Sequence, residues 1–317
     1  TENYAAMQDP QEHGIPQCTL HNFPSNMDHC CMWARDIFSG LFDNTPSRFN
    51  QLLNDKKSIE DLDVGERLFT LKSIKELMEH SPKNFDDCIA WARLKFEDYF
   101  ANRIKELIHC YPRDYITESG VPFWTGSKRF PSPLVYDPEN ENHAAFIQAG
   151  ATIIARIFGI APEGDSAIRA ANVPIPEWVP SGEKVDFDGK EDKSLAPSSE
   201  QIEGLMEAIT PYLSHPALNP EEFEKDSETN SHMDFIAAAS NLRAMNYQIK
   251  TEDKLEIKRI AGKIVPAIST TTSMVCGFVA LEMYKEHSVI PKKIEDFRNG
   301  FISLGTGFFA LSEPAPP

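Results

Sequence analysis

Cysteine is scarce and unpatterned in this sequence: six residues in 317, with no C-x-x-C pair and no histidine spacing suited to zinc. A disulfide framework is therefore excluded, and a reducing compartment fits best. No apolar segment near Thr1 reads as a secretory signal. The most apolar run, Met274 to Tyr284, is about half of the ~20 residues that a membrane span needs. Basic residues are in deficit, 31 against 48 acidic, which leaves a formal net charge of −17. Such a surface repels phosphate backbones, arguing against nucleic acid; it would speed encounters with basic protein partners, while solubility alone is the default reading. Internal repeats are missing, and so is any G-x-G-x-x-G following a strand. The chain opens on Thr1 rather than Met, so a piece of a longer protein is expected.

What remains is ordinary globular material. With 41% hydrophobic and 25% charged residues the chain can pack cores, and its length suggests about two domains of ~150 residues each. Residues 1–24 carry Pro10, Pro16 and Pro24 without helical period and read as extended loop. Ser25 then offers an N-cap, with Met27, Cys30, Cys31, Ala34, Ile37, Phe38 and Leu41 as one apolar stripe. A longer helix is expected after Asn84, running through Cys88, Ile89, Ala92, Phe96, Tyr99, Phe100, Ile104, Leu107 and Ile108, and ending before Pro112. Its cysteines, like Cys30 and Cys31, belong to the apolar face, so burial accounts for them.

Residues 111–138 are turn-rich and aromatic, an ordered loop packed by its own Phe and Trp. A helix starting near Asn142 uses Phe146, Ala149, Ile153 and Ile157 and stops at Gly159. Residues 180–200 are polar and charged and read as a flexible excursion, followed by a short helix over 199–213. After about Pro216 the character changes. The small residues Ala237, Ala238, Ala239 and Ser240 suit close packing of a helix on a sheet, Met274 to Lys285 reads as an apolar helix, and Phe301 to Leu311 as one or two strands.

Cys18 stands apart from the other five cysteines. It lies in a loop between two prolines, off any amphipathic stripe, among Gln17, Thr19, His21 and Asn22. A loop thiol can reach a large substrate, whereas a core thiol cannot. At an ordinary pKa of ~8.5 only about 3% is thiolate at pH 7, so activation is required. His21 is a candidate base, but these residues favour a plain solvated histidine. The residues alone leave three classes open: acyl transfer through Cys18, a papain-like cysteine hydrolase, or a non-catalytic helical interaction module.

The run Ile15-Pro16-Gln17-Cys18-Thr19-Leu20-His21-Asn22-Phe23-Pro24 resembles the segment around the catalytic cysteine of ubiquitin-activating enzymes. Further blocks follow in family order. They are Pro122-Phe123-Trp124 with Lys128-Arg129 and Pro133, Phe223 to Asp226, His232 to Ile236 and on to Ala244, Ala261 to Ile268 with Thr270-Thr271-Thr272, then Asn299-Gly300-Phe301 and Ser312-Glu313-Pro314. The resemblance implies a mainly α catalytic-cysteine domain joined to the partial α/β, Rossmann-like remainder of an adenylation domain. Residues 1–16 would be a connecting segment, 17–215 the cysteine domain and 216–317 the adenylation remainder.

It also implies a function. Ubiquitin would be adenylated with ATP and Mg²⁺ in the full-length enzyme, captured on Cys18 as a thioester, and passed to conjugating enzymes in cytoplasm and nucleus. Thr19 would be a supporting residue, either bonding the thiol or developing oxyanion or simply capping the loop. The alternative is an activating enzyme for another or an additional ubiquitin-like modifier. No cofactor or metal is expected in this stretch, which alone would neither bind ATP tightly nor charge itself. Two departures stand out. His21 replaces the Lys or Arg the family tends to carry, and Asp226-Ser227-Glu228-Thr229-Asn230 interrupts a run of acids.

Overall fold

The first helix does not begin where the hydroxyl of Ser25 suggested. In the computed structural model α1 (Met27–Phe38) is capped by Asn26, whose side chain accepts the His29 amide at 3.0 Å. Ser25 is otherwise engaged, its own amide donating to His29 Nδ1 at 3.2 Å. The structure describes residues 22–55, 59, 61–117, 120–126, 128–181, 199–263, 269–304 and 306–313. The chain divides into two compact units, Ile15–Ile264 and a second made of Thr1–Gly14 with Val265–Pro317.

The first unit is helical. After α1 the chain winds through a π-helical stretch, Ser39–Asn44, into α2 (Thr45–Asn54), which carries Pro46 in its first turn. α3 (Val64–Glu79) starts on Asp63, whose carboxylate accepts the amides of Gly65 and Glu66. No element is assigned from the sequence over residues 42–83. The buried Leu71, Ile74, Leu77 and Met78 show that α3 nonetheless presents one face to the core.

α4 (Phe85–Glu97) begins on Asn84, as expected. A π-helical stretch, Asp98–Asn102, joins it to α5 (Arg103–Cys110), just short of Pro112. α6 (Glu141–Ile157) is capped by Asn140 and followed by Gly159 at φ +70°, the left-handed conformation that ends helices. The short α7 (Ala167–Ala171) and α8 (Ser199–Ile209) follow, the latter continuing as a 3-10 turn through Ser214. The expected excursion over residues 180–200 falls almost wholly outside the described residues.

α9 (His232–Asn246) and α10 (Lys254–Ala261) complete the unit, which carries helix packing past the composition change near Pro216. The small residues of α9 pack on helices rather than on a sheet, as α9 lies against α1 and α6. A Cβ on Gly150 of α6 would stand 3.5 Å from Ala92 Cβ and 3.7 Å from the Phe235 ring, so the helices approach closely there. Phenylalanine rings run through this core. Phe38, Phe42, Phe235, Phe146 and Phe100 succeed one another at centroid spacings of 5.1, 5.0, 5.0 and 5.1 Å. Edge and tilted contacts of this kind add about 0.5–1.5 kcal/mol each beyond area burial.

The second unit holds α11 (Ser269–Glu286) and an antiparallel hairpin, β1 (Asn299–Ser303) with β2 (Phe308–Ser312), in a register that pairs Phe301 with Ala310. Phe278 stacks on Phe309 at 5.3 Å and Lys285 donates to the Asp296 carbonyl at 2.9 Å. None of the described α11 residues is buried, although Val275, Val279, Leu281, Met283 and Tyr284 are apolar. No helix among the described residues is long and apolar enough to cross a membrane.

Candidate functional site

Thiol chemistry requires a cysteine that can ionise, and burial divides the candidates. Cys30, Cys31 and Cys88 have no exposed surface. Burial pushes their thiols up to about 12, 11 and 12, with the Arg243 guanidinium only partly opposing it at Cys30. These three are core residues, as their stripes indicated. Cys110 is half-buried and Cys276 of α11 is exposed. Cys18, Thr19 and His21 lie outside the described residues. Among those described, no group of His, Cys, Asp and Glu could hold a metal ion.

What the structure does describe is the root of the cysteine segment, from Asn22 onward. The Tyr247 hydroxyl donates to the Asn22 carbonyl at 2.7 Å across 225 residues of sequence. Tyr247 is fully buried, and desolvation raises its phenol against the pull of Arg243, so it remains a proton donor. Phe23, beside it, is buried and stands edge-on to Phe123 at 5.8 Å and Trp124 at 6.0 Å. The Lys128 ammonium lies 5.0 Å over the Phe23 ring and 4.2 Å over that of Phe123, within cation–π range.

Two aromatic loops are thereby fastened together. Tyr111 stacks on Phe123 at 4.3 Å, Trp124 meets Phe130 at 5.0 Å, and Trp124 Nε1 donates to the Tyr111 carbonyl at 3.0 Å. The loop is ordered by its own rings, as its composition suggested, and Phe23 joins them.

The far side of the root is the C-terminal turn of α9. Asn246 is completely buried and donates to the carbonyls of Phe100 and Ser132 at 2.9 and 2.7 Å. Its own carbonyl accepts the Ser132 amide, and Arg129 Nη1 reaches the Gln248 carbonyl at 3.0 Å. Arg243, one helical turn before Tyr247, lies over the Trp33 ring at 4.6 Å and the Tyr247 ring at 5.1 Å. Trp33, Tyr247 and Asn246 were not singled out from the sequence. The i, i+4 spacing of Arg243 and Tyr247 was the available signal, because it puts both on one helix face.

A second assembly fixes residues 221–232. His232 bonds Glu221 at 2.9 Å, and Arg156 holds the same carboxylate at 2.8 Å while also donating to the Asn230 carbonyl. Glu224 accepts the amides of Asp226 and Ser227, and Asp226 pairs with Lys225 and Lys258 at 3.2 and 3.3 Å. Ser231 closes the loop at φ +60°. Arg35 of α1 lies 3.8 Å over the Phe223 ring and donates to the Ala261 carbonyl at 3.0 Å. The sequence blocks at Phe23, Phe123–Trp124, Lys128–Arg129, Phe223–His232, Arg243 and Ala261, far apart in the chain, thus converge around α1 and α9.

Comparison with known proteins gives the arrangement a family. Residues 24–258 match the family described as "Ubiquitin-activating enzyme, SCCH domain", a match that begins six residues beyond Cys18. The chain is 43% identical over 332 residues to "Ubiquitin-like modifier-activating enzyme 1" of Dictyostelium discoideum, covering 99% of this chain and 32% of that protein. It is 40% identical over 336 residues to "Ubiquitin-activating enzyme E1 2" of Arabidopsis thaliana, covering 100% of this chain and 31% of the relative. Likewise it is 40% identical over 330 residues to "Ubiquitin-like modifier-activating enzyme 1" of Homo sapiens, covering 99% and 31%. The chain therefore spans about a third of the length of these curated relatives.

Proposed function

The chain belongs to the ubiquitin-activating enzymes through their SCCH domain, and we propose from this that Cys18 accepts the C-terminus of ubiquitin as a thioester and passes it to the cysteine of a conjugating enzyme. The observation that carries the reading is the packing of the Phe123–Trp124 and Lys128 block on Phe23, at the root of the Cys18 segment, beside the Tyr247 bond to Asn22. Cys30, Cys31 and Cys88, with thiols raised to about 12, 11 and 12, are poor competitors for the role.

In the proposed step the Cys18 thiolate attacks the carbonyl carbon of the ubiquitin adenylate. A C–S bond forms, the C–O bond to the phosphate breaks, and AMP departs with the electron pair. The thiol proton leaves to solvent or to His21. The product keeps acyl-transfer potential, so a second thiol can take the acyl group. Thr19 is the proposed supporting hydroxyl.

ATP and Mg²⁺ supply the adenylate in this reading. Among the described residues no group of His, Cys, Asp and Glu could hold a metal ion. The stretch alone is expected not to charge itself. Residues 269–313 are proposed to belong to a Rossmann-like adenylation domain. The support is α11, apolar yet unburied, together with a hairpin whose Phe309 stacks on Phe278 of α11. A cytoplasmic and nuclear location accords with the free cysteines.

The test mixes the full-length protein with ATP, Mg²⁺ and ubiquitin and compares it with Cys18→Ala on a non-reducing gel, following AMP separately. A reducible ubiquitin adduct that the variant lacks, while still forming adenylate, is expected. An adduct that survives the substitution places the acyl group on another thiol. Parallel assays with other ubiquitin-like proteins decide the modifier.

A further inference from the structure

Asn22 is four residues beyond Cys18, and four residues of chain span at most about 14 Å. Whatever holds Asn22 therefore bounds where the thiol can travel. The hold is specific: one buried hydroxyl, that of Tyr247, on the Asn22 carbonyl at 2.7 Å. Beside it the Phe23 ring is closed in by Phe123 and Trp124 and covered by the Lys128 ammonium at 5.0 Å. Nucleophilic attack needs the reacting atoms about 3–3.5 Å apart, and a misplacement of about 1 Å can cost 100-fold in rate. Freeing the root lengthens the chain between the thiol and its nearest fastening, so the sulfur samples a larger volume and meets the acyl carbon less often, even though Tyr247 touches no reacting atom.

We infer that Tyr247 is a positioning residue for acyl transfer to Cys18, with Lys128 as the second fastening of the same root. The inference rests on reading Cys18 as the acceptor. A purely structural role would act differently, because loosening the whole helical unit lowers every activity together. Loosening only the root leaves adenylation intact and slows the transfer.

The experiment uses the full-length protein and the variant Tyr247→Phe, which keeps the ring against Arg243 and removes only the hydroxyl. Ubiquitin adenylate is allowed to form, and thioester formation on Cys18 is followed in a single turnover. A loss of about 10-fold or more in the transfer rate is expected, with adenylate yield unchanged and KM for ubiquitin within about twofold. Lys128→Gln should slow the same step and Lys128→Arg should restore it, since guanidinium also stacks on aromatic rings.

A transfer rate for Tyr247→Phe within twofold of the parent overturns the inference. So does a rate loss matched by an equal loss of adenylate, which marks a structural role. If the unaltered protein carries no adduct on Cys18, the acceptor reading itself fails, and this inference falls with it.

Discussion

The imidazole of His232 and the carboxylate of Glu221 share a hydrogen bond of 2.9 Å. The proton sits on Nε2, because Nδ1 already accepts the Glu224 amide at 3.1 Å. Two other histidines repeat this arrangement: His29 Nδ1 takes the Ser25 amide, and His143 Nδ1 takes the Asp137 amide at 3.0 Å. Protonating any of the three would set one donor against another.

A pH dependence follows from this shared geometry. Burial lowers the pKa of His29, His143 and His232, against the opposing pull of Asp28, Asp137 and Glu221 respectively. The unfolded imidazoles take a proton near about pH 6.5, while the folded ones resist until lower pH. Between those values the unfolded chain binds more protons, so stability is complete above about 6.5 and declines as pH falls through the folded values. Melting midpoints should therefore drop between about pH 7.5 and 5.5, above the carboxylate range. A flat or rising midpoint over that interval contradicts the assignment.

Gly150 gives a prediction of opposite signs at one position. Its missing Cβ would lie 3.5 Å from Ala92 and 3.7 Å from the Phe235 ring, ordinary contact distances. Gly150→Ala should be tolerated and can gain up to about 1 kcal/mol from helix propensity. Gly150→Leu must displace those neighbours and should lose about 1–3 kcal/mol. Urea unfolding of both variants checks the pair.

Thiol labelling separates the cysteines without any enzymatic assay. With pKa values near about 12, Cys30 and Cys88 are thiolate in roughly one molecule in 10⁴ at pH 8. Iodoacetamide at that pH should leave Cys30, Cys31 and Cys88 unmodified in the native protein and label them after urea. Cys276, exposed on α11, should label in both states. Rapid native labelling of Cys30 would refute the burial shown here.

Local rules carried much of the helical unit. The Asn84 cap, the stop at Gly159 and the stripe from Cys88 to Leu107 were legible because caps and 3.6-residue periodicity are written in neighbouring residues. Ser25 misled because cap propensity cannot distinguish adjacent candidates, and the choice fell to Asn26 through His29. The alanines of α9 signalled close approach correctly but not to what, since small residues serve helix–helix and helix–sheet packing alike. The root of the Cys18 segment was beyond local reading. Its key contact joins Asn22 to Tyr247, and only the fold brings such residues together. α3 was legible but passed over: Asp63 caps it, and Thr70, Leu71, Ile74, Leu77 and Met78 form an uncharged stripe at helical spacing.

That contact also sets an order of events during synthesis. Asn22 emerges among the first residues of this stretch, and its fastening must wait for Tyr247, 225 residues later. At about 5–20 residues per second the delay is roughly 11 to 45 seconds. The segment bearing Cys18 is thus made early and tethered late, and throughout that interval the nascent chain carries a thiol whose anchoring partner has yet to be translated.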